Sequence, residues 1–60
     1  MKKSSYYLRV NGVAATRYYT KKVCLEMAEH GHKGRPDAVV ELVEYDCWTN
    51  TDTVVARLYN

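Results

Sequence analysis

Thr20 to Gly31 reads TKKVCLEMAEHG, and this stretch decides the fold. Thr20 is a suitable N-cap, since its hydroxyl can accept a hydrogen bond from a first-turn amide that lacks an intrahelical partner. Val23, Cys24, Met27 and Ala28 then recur at the helical period and form one apolar stripe, with Lys22, Glu26 and Glu29 opposite. Tyr19, just outside the cap, is placed to pack back on Cys24 as a hydrophobic staple. Gly31 supplies a left-handed stop. A helix of about ten residues does not persist alone in water, so it must bury its stripe against other elements.

Those elements read as strands. Tyr6–Val10 is followed at once by Asn11-Gly12 and then by Val13–Tyr18. Asn-Gly between such runs marks a two-residue hairpin, because both residues tolerate positive φ. The loop length sets the register, with Val10 facing Val13, Leu8 facing Ala15 and Tyr6 facing Arg17. The core side is then Tyr6, Leu8, Val10, Val13 and Ala15. Beyond the helix, His30–Asp37 reads as a loop from its Gly and Pro content. Ala38–Tyr45 is a third strand; Glu41 and Glu44 fall on opposite faces of it, so a bulge or frayed edge is expected. Cys47–Asp52 is a polar turn, and Thr53–Tyr59 a fourth strand with Val54, Ala56 and Leu58 inward. The sum is an α+β domain of ββαββ order, a four-stranded antiparallel sheet with one helix packed on one face.

The 60 residues are read as a single domain spanning 1–60. At this length a chain buries only about 60% of its unfolded surface, so the core is thin. With 47% hydrophobic and 27% charged residues the composition is globular. No apolar run approaches the roughly 20 residues that cross a bilayer. Met1, Lys2 and Lys3 resemble a charged leader start without the apolar segment that would follow, and a cytoplasmic protein is expected. Cys24 and Cys47 are expected as two reduced core thiols. Charge is polarised: eight Lys and Arg against Glu26 and Glu29 through Arg35, then Asp37, Glu41, Glu44, Asp46 and Asp52 against Arg57. That asymmetry suits a bipartite surface or self-association better than a uniform phosphate cradle.

One helix covers one side of a sheet, and the other side must meet solvent or a partner. The uncovered residues are expected to be Tyr7, Arg9, Thr16, Tyr18, Val55, Arg57 and Tyr59, joined by Val43 and Tyr45 if the third strand keeps register. Tyr and Arg dominate binding hot spots, because a tyrosine brings area with few torsions to freeze and arginine makes planar multidentate contacts. The candidate partner-binding residues are therefore Tyr7, Arg9, Tyr18, Arg57 and Tyr59, with Trp48 as an anchor or a lid on the core and Lys33 and Arg35 at the rim. The plainer alternative is that cross-strand tyrosines simply stabilise a thin sheet.

Two other partners fit the same residues. Nucleic acid is one, using this face and the basic His30–Arg35 loop, although the acidic second half and the lack of an RNP-type motif weigh against it. A homodimer through the face or the Thr53–Tyr59 edge is the other. Catalysis is not expected: there is no GxSxG, P-loop or GxGxxG, and no cofactor is implied. Cys24, His30, His32 and Cys47 have the atoms for zinc but not its spacing.

The run YYLRVNGVAATRYYTKKVCLEMAEHG followed by AVVELVEYD resembles the small accessory proteins of bacteriophages and prophages, and in architecture some anti-CRISPR and host-takeover inhibitors. The likeness spans Tyr6 to Asp46. It implies a protein in the bacterial cytoplasm that acts by occupying the surface of a host protein.

Overall fold

The first turn forms as its residues dictate: Asn11 and Gly12 adopt φ of 50° and 82°, and Val10 pairs with Val13. The computed structural model describes residues 4–59 and contains β1 (Ser4–Val10), β2 (Val13–Ala14), α1 (Lys21–Gly34), β3 (Val40–Asp46) and β4 (Thr51–Tyr59). The strands form one antiparallel sheet in the order β2-β1-β3-β4, an α+β fold with one helix. The charged start at Met1–Lys3 lies outside the described residues.

The expected β2 ran to Tyr18 but ends at Ala14. Ala15 N still donates to Leu8 O (2.9 Å), yet Leu8 N donates to the Thr16 hydroxyl (3.0 Å), where a continuous ladder would use the Ala15 carbonyl. Thr16 Oγ1 in turn donates to Arg17 O at 2.9 Å. A side chain that satisfies a strand amide releases the backbone from the ladder. The chain rejoins β1 at Tyr19, whose N and O both bond Tyr6, at 2.7 and 2.9 Å. Tyr6 thus faces Tyr19 rather than Arg17. A slip of two residues keeps every side chain on its expected side.

Thr20 caps α1 as expected, its side chain accepting from Val23 N at 3.3 Å. Gly31 is not the stop. The helix runs on to Gly34, and Arg35 N closes it on Gly31 O at 2.9 Å. Gly31 keeps a negative φ here; a glycine within a helix costs roughly 1 kcal/mol against alanine, which the tertiary fit of the last turn must offset. That fit includes His32, expected in a loop, which stacks on Tyr59 with ring centroids 3.9 Å apart and planes within 6°. Within the expected stripe Cys24 and Ala28 are buried and Met27 half-buried, while Val23 lies at the exposed margin. Tyr19 is anchored by its backbone and its ring stays exposed.

The core joins Leu8, Val40 and Leu42 of the central strands to Cys24 and Ala28, with Tyr6, Val10, Met27, Leu58 and Tyr59 around them. Val13 is not part of it and stays exposed, because β2 is a short outer strand while α1 packs on β1 and β3. The irregularity expected in β3 belongs to its pairing with β4: β1 and β3 pair without a break, and the β3–β4 register shifts between Val40 and Glu41 and between Leu42 and Val43. The extra residues on β4 are Leu58 and Val55. Val54 therefore lies opposite Val43 on the uncovered side instead of inward, and Tyr59, expected on the uncovered face, packs on the helix side.

The expected core thiols are divided. Cys24 is fully buried, whereas Cys47 is exposed in the turn, and no disulfide joins them. Burial pushes the Cys24 thiol up from the usual thiol range. The sign follows: the folded state holds this proton longer than the unfolded one, so this contribution to stability is complete below the ordinary thiol range and is lost as pH rises through the raised value. With an aryl disulfide reagent at neutral pH, Cys47 is expected to react at once and Cys24 only as the protein unfolds; two equally fast thiols would contradict the core. Leu42→Ala is expected to cost about 2–5 kcal/mol in denaturant melts.

Candidate functional site: the uncovered sheet face

Alternation along the two central strands sends Ser5, Tyr7 and Arg9 of β1 and Glu41, Val43 and Tyr45 of β3 away from the helix. Asp52, Val54 and Arg57 of β4 join them through the register Tyr45↔Asp52, Val43↔Val54 and Glu41↔Arg57.

The floor of this face is closed. Val43 is wholly buried and Tyr7 only 7% exposed. Their cover comes from the segment that Thr16 released from the ladder. Tyr18 meets the Tyr7 ring edge-on (centroids 5.6 Å, 86°) and stacks on Tyr45 (5.1 Å, 28°). Ser5, paired with Tyr45, leaves room for that reach across β1. The Tyr7 hydroxyl donates to Asp52 Oδ2 at 3.2 Å and accepts from Arg9 Nη2 at 3.4 Å. Tyr7 therefore supports the face from beneath. Tyr18, at 57% exposure, is the aromatic that this cover turns outward.

Charges on the face alternate. Glu41 lies in register with Arg9 on one side and Arg57 on the other, and Asp52 sits beside Tyr45. Opposite charges in directly paired positions contribute roughly 0.2–1 kcal/mol each. They also break up any continuous positive field of the kind a phosphate backbone requires.

Among the described residues Trp48 is the most exposed large apolar one, at 73%, so it is no lid on the core. Its turn is held firmly. Asp46 Oδ1 accepts from Trp48 N at 2.9 Å, the Tyr45 hydroxyl donates to Asn50 Oδ1 at 2.8 Å, and Asn50 takes a positive φ of 55°. Because Tyr45 both stacks on Tyr18 and ties this turn, the face and the Trp48 hairpin form one unit.

Arg9 and Arg57 lie on the uncovered side of the sheet, on either side of Glu41, and Tyr18 lies against Tyr7. Tyr59 is on the other side of the sheet. Lys33 and Arg35 lie at the far end of β3, a seven-residue strand of about 20 Å, from Trp48. Lys33 also pairs with Glu29 one turn earlier (3.9 Å). The outward Val54 escaped sequence reading because a bulge on β4 reversed its side. Tyr45 was recoverable from uninterrupted alternation along β3.

Among the described residues no three His, Cys, Asp or Glu side chains converge to hold a metal ion. No helix there is long and apolar enough to cross a membrane. No protein-family model matches the chain, and no curated protein or solved structure matches it either.

A double-mutant cycle on Tyr18→Ala and Tyr45→Ala should return a coupling of about 0.5–1.5 kcal/mol in thermal or denaturant melts. Additive losses would mean that the stack stabilises nothing.

Proposed function

We propose that this protein is a binding module that docks its uncovered sheet face and the Trp48 hairpin on another protein, modulating or blocking it by occupying its surface. The observation that carries this reading is the uncovered face with Tyr45, the exposed Tyr18 and Val54 and the arginines Arg9 and Arg57, tied to the turn of the exposed Trp48 by the Tyr18–Tyr45 stack and the turn hydrogen bonds. Rigid aromatic and arginine side chains lose little entropy on binding and are the groups that concentrate interface energy. A protein partner is favoured over nucleic acid because Glu41 and Asp52 interrupt the arginines. Occupation of a host surface is also the mode of action that the resemblance to small phage and prophage accessory proteins implies.

Capture from a bacterial lysate, with and without nuclease, tests the proposal. A nuclease-resistant protein retained by the wild type and lost by Trp48→Ala combined with Arg57→Ala is the expected result. Both side chains are exposed, so the fold should survive, and each substitution at a hot spot should weaken the purified complex by about 2 kcal/mol, some 30-fold. Recovery of nuclease-sensitive material alone, or full retention by the double variant, would refute it.

A further inference from the structure

On the helix side, away from the face just described, a cavity of about 330 Å³ opens between the last turns of α1, β1 and the start of β3. Leu8, Val10, Met27, Ala28, Ala38 and Val40 supply most of its wall. Gly31 faces it where the helix stripe would otherwise place a side chain, and a Cβ built there meets nothing within 4 Å.

Two polar residues line it, and they differ in what they have to offer. The Thr16 hydroxyl is committed, accepting from Leu8 N and donating to Arg17 O. Among the described residues Arg35 is the only ionisable one of the lining, and its guanidinium takes part in no hydrogen bond or ion pair. A site with an apolar wall and one unengaged guanidinium selects a ligand with an apolar body and a single anionic end. The planar fork of arginine matches a carboxylate in bidentate fashion. The volume lies at the low end of the roughly 300–1,000 Å³ of ligand pockets, enough for one aliphatic chain or one ring system and too small for a dinucleotide. Met27, unbranched and polarisable, can adapt its contact to such a body.

We propose that this cavity binds a small amphiphilic carboxylate, an aliphatic or aryl acid, with the apolar part against Val10, Ala15 and Met27 and the carboxylate on Arg35. The site is independent of the partner face and stands or falls without it.

Amide chemical shifts of the full chain, titrated with decanoate, decanol and decyltrimethylammonium below their micelle concentrations, test it. Decanoate should give saturable shifts centred on Gly31, Ala38 and Val40, with decanol at least about tenfold weaker and the cation without effect, since a charge-assisted hydrogen bond contributes about a factor of ten or more. Arg35→Gln should weaken decanoate about tenfold and leave decanol unchanged. Gly31→Leu should fill the cavity and abolish binding of both, with a melting temperature equal to or above that of the wild type. Should Gly31→Leu fail to fold, the Arg35→Gln comparison decides alone. Unsaturable or scattered shifts, equal binding of the cation, or wild-type decanoate affinity in Arg35→Gln would overturn the proposal.

Discussion

The uninterrupted antiparallel pairing of β1 with β3, from Ser4 opposite Asp46 to Val10 opposite Val40, governs everything else in this small protein. It sets Leu8 directly against Leu42 beneath the helix and Tyr7 directly against Val43 on the other side. A single residue of slip would exchange those two sets. With the pairing fixed, α1 has one place to lie, across the two central strands, where Cys24 and Ala28 are small enough to bring it close. The outer strands then carry the adjustments that a chain this short must make.

Those adjustments share a logic. A 60-residue chain has one helix for a sheet with two faces, and Val43 and Tyr7 on the second face are as apolar in demand as the core. The Thr16 hydroxyl resolves this by taking over one ladder hydrogen bond from the backbone, which lets the chain step out and lay Tyr18 over Tyr7 and Tyr45. On the opposite edge, the extra residues Leu58 and Val55 turn β4 so that both Leu58 and Tyr59 serve the helix side while Val54 is given to the other. The tyrosines are thus both structural and available: Tyr7 is consumed in holding the face, and Tyr18 remains outward.

Local chemistry was legible wherever a residue type has one strong backbone consequence. Asn11-Gly12 gave the turn, Thr20 the helix start, and the Cys24/Met27/Ala28 spacing the buried stripe. What escaped were choices settled by tertiary partners. Gly31 has the chemistry of a stop, but the packing of His32 on Tyr59 rewards another turn. Thr16 looks like an ordinary strand residue until Leu8 N is seen to need an acceptor. Tyr59 changed sides because a bulge alters the parity of every residue beyond it, and strand alternation carries no signal for where an extra residue will be absorbed. For the candidate site, Arg9, Tyr18 and Arg57 lie on stretches where parity survives; Tyr59 does not.

Size constrains how the exposed features can work together. The described residues extend 36 × 19 × 16 Å, so their broadest side is about 36 by 19 Å, on the order of the ~800 Å² that one partner contributes to a standard interface. A partner seated on Tyr18, Tyr45 and Trp48 would use most of one side and leave the far end of β3 at its margin. Lys33 and Arg35 belong to the end of α1 there, and Arg35 lines the cavity on the helix side. The cation excess of the first half of the chain is therefore divided in space. Arg9 lies opposite Glu41 on the mixed-charge face with its guanidinium on the Tyr7 hydroxyl, and Arg35 is left beside an apolar cavity, where a guanidinium without a protein partner has its strongest preference for an anion.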